Sequence, residues 1–515
     1  SSFCLLASTL HGSSLDRGHP YSACCECATI LPMESLPWEF WIDVGGTFTD
    51  CVAQTPTGRR TRLKILSSGV VKGTTGPGSD IGRILDAARI GEPDKFWTDF
   101  TCRLLDQAGN NLAETSVASF DSNLGELQLG DSQALESATG YELYCGLEAP
   151  VIGIRLMMGL PLAEAVPPVR LRLGTTRGTN ALLTRTGAKT ALLITAGFGD
   201  LLEIGSQERP RLFDLAVRKS PPLAACSVEI DERVSATGEV LRAPDAKLVQ
   251  EELQELKRQG IESLAISFLH ADLFPQHEQI VKQLALDAGF AEVSCSSEVV
   301  PLVKIVSRAE TTVVDAYLNP VLRTYVAGLQ DSLPGSQIRL MTSSGGLVPM
   351  EAFRGSHSVL SGPAGGVVGY AKIAAAAGFA KAIGFDMGGT STDVSRFDGH
   401  YEYEYESRKA GVRIMTPPLA IETVAAGGGS ICRFDGTNLV VGPESAGADP
   451  GPACYGRGGP LTLTDVNLFL GRIAEDHFPF DLNKQAVNES LAKVAEQMKS
   501  ATSEGLAPIE IAEGF

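Results

Sequence analysis

The stretch Trp41-Ile42-Asp43-Val44-Gly45-Gly46-Thr47-Phe48-Thr49-Asp50 decides the fold, because it recurs as Ile383-Gly384-Phe385-Asp386-Met387-Gly388-Gly389-Thr390-Ser391-Thr392-Asp393. In both copies an apolar run delivers an Asp, an apolar residue, two glycines and a threonine, then a second threonine and a second Asp. A strand-like run that ends on Asp presents the carboxylate at the mouth of a sheet, where it can hold Mg²⁺ directly or through water. The glycine pair lets the backbone turn tightly and come close to a ligand with no Cβ in the way. The amides freed by that turn, with the hydroxyls of Thr47, Thr49, Thr390 and Thr392, can donate to phosphate oxygens. A single Asp-x-Gly-Gly is more often a plain hairpin turn. Here each copy is followed by another strand-like run, residues 51–53 and 394–397, so each reads as strand, phosphate turn, strand. Two such turns facing each other would clamp one polyphosphate, which makes a nucleotide site.

The chain has 515 residues, too many for one ordinary core, so about three structural units are expected. Hydrophobic content of 43% and a mean hydropathy of +0.06 describe a globular protein with no run long enough to span a membrane. A net charge of −18 disfavours nucleic acid or an anionic membrane as the main partner. Eleven scattered cysteines fit a reducing compartment, and the cytoplasm is expected. Residues 1–33 lack periodicity and read as an extension without a fold of its own. Cys24, Cys25 and Cys27 lie there without a second ligand pair at workable spacing, which argues against zinc.

Beyond the first turn, residues 55–58 read as a hairpin turn and 61–66 as the returning strand. Residues 73–78 read as a loop and 81–90 have helical spacing. A small β-rich insert is expected near 95–150. Then Leu171-Arg172-Leu173-Gly174-Thr175-Thr176-Arg177-Gly178-Thr179-Asn180 reads as a strand, a hydroxyl-rich loop and a helix beginning near Asn180, whose N-terminus offers donors to an anion or carbonyl. Strands are expected at 191–195, 263–269, 292–296 and 337–342, with helices at 247–259, 277–288 and 311–329. The alternation makes an α/β architecture. An Ala-rich helix at 367–377 follows Gly362-Pro363-Ala364-Gly365-Gly366. The later glycine-rich segments, Ala425-Ala426-Gly427-Gly428-Gly429-Ser430 and residues 447–459, imply a backbone that approaches something closely.

With these motifs in this order, from about Phe40 to the end, the chain resembles the hydantoinase A and 5-oxoprolinase family. The resemblance implies duplicated RNase H-like domains of the actin, sugar-kinase and Hsp70 type around an ATP cleft, with the first region at 34–215 and the second at 216–515. It also implies ATP-driven phosphorylation of an amide or carbonyl oxygen, with 5-oxoproline the favoured substrate and carbonyl activation of the acetone carboxylase type the alternative. Carried over, Asp43 and Asp386 would organise Mg²⁺, and Gly45, Gly46, Thr47, Thr49, Gly388, Gly389, Thr390, Thr392, Gly427 and Gly428 would bind the nucleotide. Thr175, Thr176, Arg177 and Asn180 fall on the substrate side, with Arg177 as a carboxylate partner. K⁺ is left open as a further ion.

Two departures stand out. The Gly-Gly-Ala-Gly segment that continues the family's A module is missing, and so is the B module that supplies the hydrolytic half. A truncated C-terminal end, a hydantoinase B-like partner and a homo- or hetero-oligomer are therefore expected. A nucleotide-driven module without lactam chemistry is the remaining alternative. No basic helix-turn-helix or separate peptide-binding segment supports it.

Overall fold

The computed structural model describes residues 37–107, 109–130, 137–207, 213, 219–447, 450–478, 481–502 and 505–515. The expected N-terminal extension and its cysteines lie outside these. The described residues divide into two compact units: one runs to Ile373 and takes in Tyr403–Leu419, the other holds Ala374–Glu402 and Ala420–Phe515.

The first unit is built on a six-stranded sheet. Its order is Leu347–Pro349, Gln337–Met341, Arg170–Thr175, Glu39–Val44, Phe48–Gln54, Arg60–Leu66. The last three strands form an antiparallel meander, while Glu39–Val44, Arg170–Thr175 and Gln337–Met341 run parallel. Three antiparallel strands followed by parallel strands added beside the first is the RNase H-like arrangement. Phe40, Ile42 and Val44 alternate onto one face, where they pack with Val151 and Ile154 of helix Ala149–Met158 and with Tyr325 and Leu329 of helix Ile305–Ser332.

The same unit carries a wholly parallel sheet in the order Cys226–Ile230, Thr190–Thr195, Ser263–Ser267, Glu292–Cys295. The run Ala191-Leu192-Leu193-Ile194 is apolar throughout because both faces are covered. Leu192 and Ile194 pack with the long helix Ile305–Ser332. Ala191 and Leu193 pack with helices Ala246–Arg258 and Gln276–Asp287. A boundary at 215/216 would pass through this sheet, so the division into compact units falls elsewhere.

A second antiparallel sheet of six strands lies between Val71 and Tyr144, around Phe96, Trp97 and Phe100. It begins earlier than the insert expected at 95–150. Residues 81–90 are not a helix: Arg83–Leu85 pairs with Glu126–Leu129 as an edge strand and only Ala87–Arg89 turns helically. The expected loop at 73–78 opens inside strand Val71–Thr74.

In the second unit, Ala382–Met387, Thr392–Phe397 and Glu422–Val424 form a three-stranded antiparallel sheet. A separate core forms where helices Leu463–Phe469, Lys484–Thr502 and Pro508–Gly514 meet hairpin Ser430–Phe434/Leu439–Ser445. Among the described residues no helix is long and apolar enough to cross a membrane.

Candidate functional site

Both Asp-x-Gly-Gly-Thr stretches fold into the same hairpin. In the first unit Asp43 stands opposite Asp50 and Val44 opposite Thr49, and the Gly45 amide donates to the Phe48 carbonyl at 3.0 Å. In the second unit Asp386 stands opposite Asp393 and Met387 opposite Thr392, and the Gly388 amide donates to the Ser391 carbonyl at 2.9 Å. The repeat read from residue types is therefore a repeat of register and of turn closure. In each turn the glycine pair and the first threonine, Thr47 or Thr390, are at the surface or close to it. The second threonine faces inward and fastens the turn. Thr49 shares a hydrogen bond with Ser67 at 2.9 Å, and the Thr392 hydroxyl donates to the Ala426 carbonyl at 2.6 Å.

The two glycines of a pair serve different ends. A methyl group on Gly45 would meet the Phe48 carbonyl oxygen at 2.8 Å, so the turn itself excludes a side chain there. A methyl group on Gly46 would find only Asn180 Nδ2 at 3.8 Å, and one on Gly389 would find nothing within 4 Å. Open space above unstrained backbone is what an approaching ligand needs.

Asp43 sits in a glycine cradle. A methyl on Gly174 would lie 3.2 Å from Asp43 Oδ1, and one on Gly362 would lie 3.5 Å from the same oxygen. Gly174 is its parallel-strand neighbour. Gly362 belongs to helix Ser361–Ala376, which starts six residues before the helix expected at 367, because Pro363 suits a first helical turn. The Ser361 hydroxyl ties this helix to the Thr175 carbonyl at 2.9 Å, so the helix's positive end lies beside Asp43.

The hydroxyl-rich loop is joined to the first turn. The Thr176 amide donates to the Val44 carbonyl at 3.0 Å and its hydroxyl to the same atom at 3.2 Å. The helix begins at Arg177, and the Asn180 side chain lies over Gly46. Thr175 is buried. The Arg177 guanidinium is held by Glu148 at 2.5 Å and lies over the Tyr325 ring, with its centre 4.6 Å from the ring centroid. Burial, then the Glu148 charge, raises the Tyr325 phenol above its ordinary range.

The turns are propped from below by Ser67 in the first unit and by residues 427–429 in the second. Ser67 donates its amide to the Thr47 carbonyl and its hydroxyl to the Gly45 carbonyl, at 2.9 and 2.8 Å. In the second unit the Gly428 and Gly429 amides donate to the Gly388 and Gly389 carbonyls at 2.9 and 2.7 Å. A methyl on Gly427 would meet Gly388 O, Gly389 C and Ser391 N, each at 2.7 Å. Gly427 and Gly428 thus lie against the turn. Lys64 pairs with Asp50 at 2.9 Å, an arrangement the hairpin register makes legible. Thr423 donates to Asp393 at 2.7 Å. Burial, then the Asp50 charge, pushes the Cys51 thiol up to about 12.

Among the described residues no group of three or more His, Cys, Asp or Glu could cage a metal. Single carboxylates at strand ends suit Mg²⁺ held jointly with phosphate oxygens and water.

Two family models match the chain, Hydantoinase/oxoprolinase N-terminal region over residues 147–289 and Hydantoinase/oxoprolinase over residues 308–515. The chain belongs to the hydantoinase/oxoprolinase family. Within it, the chain is 42% identical to 5-oxoprolinase 1 of Arabidopsis thaliana over 415 residues, covering 72% of this chain and 33% of the relative. It is 44% identical to 5-oxoprolinase of Saccharomyces cerevisiae over 379 residues, 64% of this chain and 29% of the relative. The crystal structure of ATP-dependent caprolactamase from Pseudomonas jessenii matches with a TM-score of 0.62 and 28% identity, over 92% of this chain and 60% of that one. This chain spans about a third of the length of the curated hydantoinase/oxoprolinase relatives it matches.

Proposed function

We propose that this chain is the nucleotide-binding part of an ATP-dependent cyclic-amide hydrolase, with 5-oxo-L-proline as substrate and glutamate, ADP and phosphate as products. The observation that carries the reading is the doubled turn: the same Asp opposite Asp, the same amide-to-carbonyl closure and the same open second glycine, in a family whose relatives include 5-oxoprolinases.

The chemistry accounts for the need for ATP. A lactam carbonyl resists water because the ring nitrogen donates into it. Attack of the carbonyl oxygen on the γ-phosphorus, with ADP leaving, removes that donation. Water then adds at the carbon, the ring nitrogen departs with a proton, and the resulting acyl phosphate is hydrolysed by a second water to carboxylate and phosphate. Phosphoryl transfer asks the protein mainly for positioning and charge neutralisation. In this reading the Gly46 amide and Thr47 hydroxyl of the first turn, and the Gly389 amide and Thr390 hydroxyl of the second, hold phosphate oxygens, while the Gly45 and Gly388 amides close the turns. Asp43 and Asp386 would hold Mg²⁺, which when bound would supply neutralisation of phosphate charge. Thr176 and Asn180 lie on the lactam side. Arg177 acts there through its engagement with Glu148, a role that differs from a free carboxylate partner. The hydrolytic half is assigned to a hydantoinase B-like partner.

Phosphate release tests this. Purified protein is assayed with 5-oxoproline, hydantoin, caprolactam, and acetone with bicarbonate, each with and without a hydantoinase B-like chain. Release stimulated by 5-oxoproline is expected. Stimulation by acetone and bicarbonate alone would transfer the protein to the carboxylase type, and ATP binding that no small molecule stimulates would remove the enzyme reading.

A further inference from the structure

Helix Ser361–Ala376 is entered through a strained residue. Leu360 has φ +63°, in the left-handed region that glycine favours. The other non-glycine residues with positive φ among those described are Lys95, Asp99, Arg185, Gln207, His270 and Ala410, none with a branched aliphatic side chain. A bulky residue persists in this region only where its surroundings over-determine it, and such residues gather at ligand sites. Leu360 is also where the helix begins, because the Ala364 amide donates to its carbonyl at 3.0 Å. The backbone sense at this one residue therefore sets the direction in which the helix departs.

The partner that holds Leu360 is Thr179, whose hydroxyl oxygen accepts the Leu360 amide at 2.9 Å. Thr179 lies in the first turn of helix Arg177–Thr184. That turn also grips the segment before Leu360, since a methyl on Gly178 would meet Ser358 Oγ at 2.0 Å. On the other side of Leu360, the Ser361 hydroxyl is fastened to the Thr175 carbonyl and Gly362 lies against Asp43 Oδ1. The contacts run in one line from Thr179 through Leu360, Ser361 and Gly362 to Asp43, all within the first unit.

We propose that Thr179 is a positioning residue for the nucleotide site: by holding Leu360 in the left-handed conformation it sets the start of helix Ser361–Ala376 against the Asp43 carboxylate. The inference rests on the reading of the first turn as a nucleotide site, and it gives Thr179 no contact with the ligand. Without the hydroxyl the Leu360 amide loses its acceptor, and the residue relaxes toward negative φ. Ser361 and Gly362 then shift away from the Thr175 carbonyl and from Asp43. The carboxylate loses the wall that keeps it in line with the first turn.

The test uses the full chain with Thr179→Val, which keeps the shape and removes the acceptor, and Thr179→Ser, which keeps the acceptor. Hydrogen exchange at the Leu360 amide, affinity for Mg-ATP by equilibrium titration, and thermal melting are measured for each. Thr179→Val should speed exchange at Leu360 and weaken Mg-ATP binding, each by about five- to tenfold, while Thr179→Ser stays within about twofold of the wild type on both. In a Leu360→Gly background, where left-handed backbone carries no steric cost, the valine substitution should weaken binding by less than about twofold. Unchanged affinity in Thr179→Val, with or without a lower melting temperature, would overturn the proposal and leave Thr179 a structural residue only. An equal loss of affinity in the glycine background would also overturn it, because Thr179 would then act by a route other than Leu360. A wild-type chain that binds no Mg-ATP would remove the nucleotide reading itself, and the proposal with it.

Discussion

Replacing the second glycine of each pair, Gly46→Ala and Gly389→Ala, separates a glycine kept for a ligand from one kept for the fold. Neither residue has a left-handed backbone, and an added methyl would meet nothing closer than 3.8 Å. Alanine at such a position stabilises by about 0.4–1 kcal/mol, through the unfolded chain. Both variants should therefore melt at or slightly above the wild-type temperature. Gly45→Ala is the contrast, since its methyl would press on the Phe48 carbonyl oxygen at 2.8 Å. Overpacking of this kind costs about 1–3 kcal/mol. Function should run the other way. If phosphate oxygens pack on Gly46 and Gly389, a methyl displaces them by roughly 1 Å, and misplacement on that scale costs about 10²-fold in rate. Phosphate release and nucleotide affinity would be measured beside thermal melting for all three variants. Wild-type turnover in Gly46→Ala and Gly389→Ala would refute the reasoning and leave the glycines as parts of a turn only.

Other outcomes follow from the same geometry. Asp43→Ala and Asp386→Ala should abolish Mg-ATP turnover while circular dichroism and melting remain near wild type. Ile42→Ala should cost about 2–5 kcal/mol by urea unfolding, because Ile42 is fully buried, whereas Phe385→Ala, at the matching but exposed position, should stay within about 0.5 kcal/mol. His357 is held below its ordinary value of 6.5, first by burial, with Asp315 opposing and Arg354 adding to the depression. The unfolded chain therefore binds the proton more readily. This contribution is complete above about pH 6.5 and is lost as pH falls toward the depressed native value, so His357→Gln should flatten the decline in urea midpoint between pH 7 and 5.5.

The meander of each unit was legible because residue type and period agree: an apolar alternation, a glycine pair that must turn, and a second strand whose register then follows. Helix Ala246–Arg258 was legible from its spacing, and the structure adds the Asp245 cap on the Lys247 and Leu248 amides. The parallel sheet was legible as short apolar runs alternating with helical spacing. What misled was context. Residues 81–90 have helical spacing, yet Ile84 is drawn into the core of an antiparallel sheet whose partner strand lies some forty residues on. The glycines from 362 to 366 suggest a loop but form the start of a helix, where small size allows close approach to Asp43 and Met341. Of the site, the two aspartates and the glycine pairs could be named in advance. The props could not: Ser67 touches the first turn only because the third strand ends beneath it, and Gly427 looks like a ligand glycine while its tight contacts are with the second turn.

Hydrogen exchange of the full chain with and without Mg-ATP tests the central claim most directly. The account predicts that the amides of Gly46 and Thr47 and those of Gly389 and Thr390 slow on addition of nucleotide, and that Asp43→Ala and Asp386→Ala weaken the effect. Exchange unchanged at both turns under saturating Mg-ATP would contradict it.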